Sequence, residues 1–338
     1  MTRVAVTGVG GFLASHVLET VLSGTDWDVV AVDSFRHNGG TDRVADAVMA
    51  AANDTAALGE PRTRVADKLM TRVRVVTHDL AAPFSPQQIQ QIGTVDYVIH
   101  AAARSSVDHS LRDPVGHVKN NIDSTLTMLD LAARIGPARY LHISTDEVFG
   151  WPHQGGTGHN PSSPYAASKA ACEDLVIGWR SSFSVPATII NSQNLFGERQ
   201  SQAAFIPKVI GAIRDGNEVQ IHTGYGGKPA SRWYTYAPNL AEYLVTLLTA
   251  EELGGRVMVP GQTLWSMDQL AYTIGAMMGR EPAIRMVPGQ AARGGGFDAT
   301  YERLHEDYDL DDWEPTLSAL DGLQRTVDWF HGNQEWLA

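Results

Sequence analysis

The chain has 338 residues, 43% hydrophobic and 19% charged, with 32 glycines, an ordinary globular composition far from disordered, collagen-like or coiled-coil sequences. Its 26 basic and 38 acidic residues give a net charge of −12, which argues against an extended electropositive face and so against nucleic acid or anionic membrane as partner. One cysteine, Cys172, rules out an internal disulfide, and no CxxC or Cys/His cluster offers a metal site, so a reducing cytoplasm fits best. The N-terminus carries no charged-then-apolar leader, and no run of about 18 apolar residues suits a membrane span. A soluble, unexported protein is expected.

In chain order, Arg3 to Thr7 reads as a strand, Gly8 to Gly11 as a turn and Phe12 to Leu22 as a helix. Trp27 to Val32 is a continuous apolar run, as in a strand buried on both faces of a parallel sheet, and it stops at Asp33. Similar runs recur at Val73 to Val76, Val95 to His100, Tyr140 to Ile143 and Ala187 to Ile190, with helical stretches between them. Such alternation predicts an α/β fold with a Rossmann-type doubly wound parallel sheet. The long connection from Arg36 to Arg72 is read as one or two extra helices covering the sheet edge. After about residue 190 the elements shorten and are broken by glycine and proline, which predicts a smaller C-terminal α/β lobe. Helical spacing returns at Leu240 to Leu248, Met267 to Met278 and Leu317 to Phe330. The expected domains are 1–190 plus about 230–255 for a dinucleotide, and about 191–229 with 256–338 for a substrate.

Gly8, Gly11 and Ala14 form a GxxGxxA pattern between strand and helix. Glycine there lets backbone N–H groups approach a pyrophosphate, and the helix N-terminus adds partial positive charge. A tight βα turn is the alternative, but strand, turn, helix, strand and a strand-end acid in that order favour a dinucleotide. Asp33 is placed to accept from an adenosine ribose and to repel a 2′-phosphate, so NAD is favoured over NADP; Arg36 and His37 follow closely and could soften that preference, with a solvated loop as the plainer reading for both. Asp79 suits an adenine amino group, with a cap as the alternative.

Tyr165 and Lys169 form a YxxxK pair whose spacing puts both on one helix face. An ammonium there would depress the phenol pKa and leave a base for a sugar hydroxyl. The spacing alone also fits an ordinary helix face. His100, His109 and His117 lack metal-ligand spacing and read as sheet-end or surface histidines, so no metal is expected.

TGVGGFLASH, HAAARSSVDHS, KNNIDST, HISTDEVFG, NPSSPYAASKA, NLFGERQ and TVDWFHGNQEW together resemble an extended short-chain dehydrogenase/reductase of the nucleotide-sugar epimerase/dehydratase type, nearest to its 4,6-dehydratases. The adjacent Asp146 and Glu147 after Thr145 carry the dehydratase likeness. By that resemblance Tyr165 takes the 4-hydroxyl proton, Thr145 bonds that hydroxyl, Glu147 takes the C5 proton and Asp146 protonates the departing 6-hydroxyl. It implies tightly bound NAD, held by Gly8, Gly11, Phe12, Leu13, Asp33, Asp79, Leu80, Ala101, Ala103, Asn121, Tyr165 and Lys169. It also implies a nucleotide diphosphate sugar on Ser105, Ser144, Asn194 and Arg232, and a homodimer through surfaces near Ser110 to Leu131 and Tyr165 to Trp179. Arg293, in a glycine-rich stretch where the family's pattern is broken, is a candidate second clamp for the diphosphate, with a flexible loop as the alternative. Relative to the family, Arg104 stands for Glu, Asn191 for Arg, Ala204 for Lys and Asn239 for Asp. These departures leave the base and the sugar open, with a 4-epimerase or uronate decarboxylase as the alternative reaction and a non-catalytic NAD-binding regulator as a third reading.

Overall fold

The computed structural model describes residues 1–36, 39–57, 59–150, 158–223, 227–288 and 313–337. Two compact units emerge. The first takes in Met1–Gly150, the described part of Gly156–Ser192, and a returning segment, Ala241–Met258. The second takes in Gln193–Leu240 and the described part of Val259–Ala338.

The first unit is built on β1 (Arg3–Thr7), β2 (Asp28–Asp33), β3 (Val73–Thr77), β4 (Tyr97–His100), β5 (Arg139–Thr145), β6 (Ala187–Ser192) and β10 (Arg256–Val259). They form one seven-stranded sheet in the order β10-β6-β5-β4-β1-β2-β3. Strands β1 to β6 pair parallel. The order reverses beside β1, so a crevice opens at the carboxyl ends of β1 and β4, where such sheets bind ligands. The apolar runs have the expected cause: every residue of β6 is buried, as are the four central residues of β2.

Helices α1 (Phe12–Gly24), α4 (Pro86–Ile92), α6 (Pro114–Ile135) and α7 (Pro164–Phe183) pack around this sheet. The 36–72 segment does form two helices, α2 (Thr41–Thr55) and α3 (Arg62–Met70), but they do not cover the sheet edge. Helix α2 packs on α1 and α3 packs on α2, while Arg74, Val75 and Thr77 of the edge strand stay exposed. The physical reason is amphipathy: Val44, Ala47, Val48 and Ala51 put one buried stripe on α2, and α1 supplies its partner.

Helix α7 starts sharply. Ser163 accepts from the Ala166 N–H at 3.0 Å and Pro164 occupies the first turn, so Tyr165 falls at the helix entrance with Lys169 one turn on. Asp113 caps α6 in the same way through the Gly116 N–H, and Gly136 ends it in the left-handed region.

In the second unit β7 (Asn194–Phe196), β9 (Ser231–Tyr236) and β11 (Thr263–Ser266) form a three-stranded sheet, and β8 (Val219–Thr223) pairs parallel with β12 (Ile284–Pro288). Helices α8 (Phe205–Asp215), α10 (Met267–Met277) and α11 (Ala319–Gly332) bury Ile206, Ile210, Leu270, Ile274, Leu323 and Phe330 in a core of their own. Helix α9 (Ala237–Thr249) carries the chain back to the first unit. Among the described residues no helix is long and apolar enough to cross a membrane.

Candidate active site

The turn after β1 is shaped by backbone contact. Gly8 has φ +75°, and a Cβ there would lie 2.8 Å from Ala102 Cα; a Cβ on Gly11 would lie 2.8 Å from the Gly8 carbonyl oxygen. Gly11 is also the N-cap of α1, and no side chain caps that end. The first-turn N–H groups at Phe12 and Leu13 are therefore free of side-chain caps, which suits a diphosphate. Gly8→Ala is expected to cost at least about 1–2 kcal/mol from its backbone angle alone and to deplete bound dinucleotide, read as cofactor content of the purified protein and its melting temperature.

Asp33 at the end of β2 accepts from the Gly10 N–H at 2.9 Å through Oδ2 and from the Phe35 N–H at 2.7 Å through Oδ1. A carboxylate has about four acceptor positions, so capacity remains for ribose hydroxyls. Phe35 itself sits at φ 53°, held there by that bond. Asp79 accepts from the Ala81 N–H and pairs with Arg36 at 2.8 Å. Leu80 is buried in the core, so only its backbone could face a ligand. Ala101 and Ala103 are partly buried after β4, and Ser105 is exposed. Asn121 is buried with its amide engaged: it accepts from the Arg104 N–H and donates to the Arg104 carbonyl and Ser168 Oγ. The glycine turn, the uncapped helix end and Asp33 fit NAD.

The strand end of β5 runs into a short 3-10 turn, Asp146–Phe149. Thr145 Oγ1 accepts from the Glu147 N–H at 3.2 Å and donates to Asp146 Oδ1 at 3.3 Å. Thr145 also hydrogen-bonds Tyr165. Thr145, Asp146, Glu147 and Tyr165 are thus brought together, with Thr145 at the centre. Lys169 is buried and donates from Nζ to the Ile143 carbonyl at 2.6 Å.

The electrostatics depart from expectation. Tyr165 is pushed up, not down: burial is the largest cause, the Glu147 and Asp146 carboxylates add to it, and the Thr145 bond opposes them. Burial likewise lowers Lys169, against Cys172 and Glu173. The YxxxK spacing puts the two side chains on one face, yet the loss of water and the carboxylates from the 3-10 turn set the direction of the shift.

Ser144 does not present a free hydroxyl; it donates to Oε1 of Glu173, a fully buried carboxylate on α7. Burial would raise Glu173, but Arg256, Ser144 and His159 together hold it below its ordinary value. Its stabilising contribution is therefore present above the unfolded glutamate range and lost as pH falls through the lower folded value. Sequence reasoning missed Glu173, Arg256 and His159. A signal existed for the first: Glu173 continues the Tyr165, Lys169 spacing by one more turn of the same face.

His100 closes β4, as the sheet-end reading has it, and is buried there; His117 is buried on α6 and not at the surface. His100 bonds Thr7 Oγ1 through Nδ1 at 2.8 Å, and burial lowers it to about 3, so it stays neutral. The His117 ring meets Tyr165 edge-on at 6.0 Å. Among the described residues no group of three or more His, Cys, Asp and Glu is arranged to hold a metal ion. In the second unit Asn194 begins β7 and donates to the Trp233 carbonyl, and Arg232 lies on the neighbouring β9. Arg293 and His37 fall outside the described residues.

Comparison with known proteins follows the same lines. Low-salt glycan biosynthesis protein Agl12 of Haloferax volcanii is 29% identical over 337 residues, covering 98% of this chain and 99% of its own length. A dTDP-glucose 4,6-dehydratase of Shigella flexneri is 27% identical over 367 residues, covering 99% of this chain and 94% of its own. Among solved structures, the fold is shared with a dTDP-glucose 4,6-dehydratase from Streptomyces venezuelae with NAD and TYD bound, at TM-score 0.82 and 24% identity over 99% of this chain and 98% of that one. It is shared too with a UDP-N-acetylglucosamine 4-epimerase from Methanobrevibacter ruminantium, at TM-score 0.78 and 22% identity over 98% and 99%. The match to the family model spans residues 4–260, from β1 through β10. That span is most of the chain and contains the glycine turn, the 3-10 turn and the start of α7, so the chain belongs to the NAD dependent epimerase/dehydratase family, and its cofactor is NAD.

Proposed function

We propose that the protein is a nucleotide-sugar 4,6-dehydratase, a hydro-lyase that converts a nucleotide diphosphate sugar to its 4-keto-6-deoxy form in carbohydrate biosynthesis. The observation that carries this reading is the pair of carboxylates, Asp146 and Glu147, acting on the Tyr165 hydroxyl from a turn fixed by Thr145. The curated dehydratase and glycan-biosynthesis relatives support it. Oxidation at C4 alone needs one base; elimination across C5 and C6 needs a base and an acid besides.

In this reading Tyr165 accepts the proton of the sugar 4-hydroxyl, with Thr145 orienting that hydroxyl. NAD held by the glycine turn and Asp33 would supply the hydride acceptor for C4 and the hydride donor for C6. The 4-ketone acidifies the C5 hydrogen, which Glu147 removes. Asp146 in its acid form protonates the departing 6-hydroxyl, which leaves as water, and Glu147 returns a proton to C5 as C6 is reduced. Lys169 steadies the base and the cofactor ribose. Asn194 and Arg232 bind the diphosphate, the guanidinium fork suiting phosphate oxygens.

The test is incubation of the purified enzyme with a panel of nucleotide sugars, followed by mass. Loss of one water is expected. Unchanged mass with inverted C4 stereochemistry would make it an epimerase, loss of carbon dioxide a decarboxylase, and no turnover of any substrate would leave a non-catalytic binder.

The reading includes a cytoplasmic homodimer. Leu111, Val115 and Ile177 leave large apolar side chains exposed on α5 (Val107–Arg112), α6 and α7, the last two packed on each other. Sedimentation of the protein should give twice the chain mass, and Val115→Glu with Ile177→Glu should shift it to the monomer.

A further inference from the structure

We infer that Arg256 is a positioning residue for the reaction proposed above: by binding Glu173 and Asn191 it fixes the segment from Ser144 to Phe149, on which Thr145, Asp146 and Glu147 stand. The inference rests on that reading only for the identity of the reaction.

The geometry converges on one buried carboxylate. Glu173 Oε1 accepts from Ser144 Oγ and from Asn191 Nδ2 at 2.7 Å; Oε2 meets Arg256 Nη2 at 2.7 Å and His159 Nε2 at 2.9 Å. Asn191 Nδ2 also donates to the Thr145 carbonyl at 2.9 Å, and Asn191 Oδ1 accepts from Arg256 Nη1. The chemistry dictates the orientation of that amide. Arginine can only donate and a carboxylate can only accept, so the oxygen must face Arg256 and the nitrogen Glu173. Both amide hydrogens are thereby used, and one of them pins the carbonyl of Thr145.

Arg256 also reaches the far end of the turn. Its guanidinium carbon lies 5.4 Å from the centroid of the Phe149 ring, the last residue of the 3-10 turn, and Met258 of the same strand packs with Val148, Phe149 and Ala170. The Val148 carbonyl accepts from the Asn160 N–H at 2.9 Å, next to His159. One side chain therefore holds both ends of the catalytic segment, through Asn191 and Glu173 at Ser144–Thr145 and through its own face at Phe149. A lysine could match the charge of Arg256 but could not span Asn191 and Glu173 with two nitrogens of a rigid fork.

Three variants of the full-length protein test this, each compared with the parent: Arg256→Met, Arg256→Lys and the double Arg256→Met/Glu173→Met. For Arg256→Met, kcat should fall about 10²-fold, as expected for misplaced reacting groups, with KM and NAD content near parental. Amide exchange should accelerate at 145–150 and stay unchanged in β1 and α1. The double variant removes the buried uncompensated carboxylate and should recover melting temperature while kcat stays low. It also serves where the single variant fails to fold. Arg256→Lys should restore melting temperature more fully than kcat. Parental kcat in folded Arg256→Met, or kcat recovering together with stability in the double variant, would overturn the proposal and reduce Arg256 to a counter-charge. If the parent enzyme epimerises instead of dehydrating, the proposed function fails; the exchange pattern at 145–150 and the kcat of the reaction actually catalysed still decide the role of Arg256.

Discussion

Tyr165→Phe is expected to lower kcat by about 10²–10⁴-fold, the range for loss of a general base, while leaving the fold and nucleotide-sugar affinity close to parental. The substitution keeps the ring that meets His117 edge-on at 6.0 Å and the cap that starts α7, and deletes only the hydroxyl bonded by Thr145. A pH dependence follows from the same environment. Burial and the Glu147 and Asp146 carboxylates raise the Tyr165 hydroxyl above its ordinary value in the cofactor-free chain. A difference titration of parent minus Tyr165→Phe, read as phenolate absorbance, should thus show no ionisation at or below about pH 10. Cationic charge brought against the phenol opposes both causes, so the loaded enzyme should show the ionisation at lower pH. Because the base form is the active one, kcat should fall as pH falls through that loaded value. Near-parental turnover by Tyr165→Phe at any pH would remove Tyr165 from the role of base.

Glu147→Gln is expected to abolish formation of the 4-keto-6-deoxy product without abolishing oxidation at C4. Glutamine keeps the length of the side chain and the backbone N–H that Thr145 Oγ1 accepts, so the turn should survive. What it loses is the carboxylate able to take the C5 proton. The oxidised sugar then has no forward route, and the near-ultraviolet absorbance of the reduced nicotinamide should build up on mixing with substrate, in contrast to the parent, where it is turned over. The charge change also has a sign at Tyr165. Removing one of the two carboxylates that raise it should move the pH limb of C4 oxidation to lower pH. Continued loss of water in this variant would take Glu147 out of the mechanism.

The first unit was largely legible because its strands are buried on both faces, which writes them as unbroken apolar runs, and because the α7 start is marked by Ser163 and Pro164 ahead of Tyr165. The reading of 36–72 identified helices but not their partner, since an amphipathic stripe says that a helix packs and not on what. In the second unit the short strands of the β7, β9 and β11 sheet, with Asn194 and Arg232 among them, carry no periodicity long enough to announce their pairing. The polar core around Glu173 was the harder loss. Its acid sits in a visible spacing, but its cation lies 65 positions beyond Asn191, and nothing local to either reports the contact. The pKa of Tyr165 failed for a related reason: spacing gives which groups share a face, while the sign of a shift depends on water excluded and on charges arriving from another element.

The returning segment has a consequence for how the protein is made. Residues 193–240, which belong to the second unit, separate β6 from the Ala241–Met258 segment that completes the first. On the ribosome, Glu173 and Asn191 emerge well before Arg256, so the carboxylate destined for the interior has no guanidinium to meet until β10 is synthesised. Its desolvation is unfavourable until then. The nascent sheet can order from β1 to β6, but with the role proposed for Arg256 the turn bearing Asp146 and Glu147 should tighten only when translation has passed residue 256. The strand that closes the sheet also ends the interval in which an assembled dinucleotide fold exists without a competent catalytic turn.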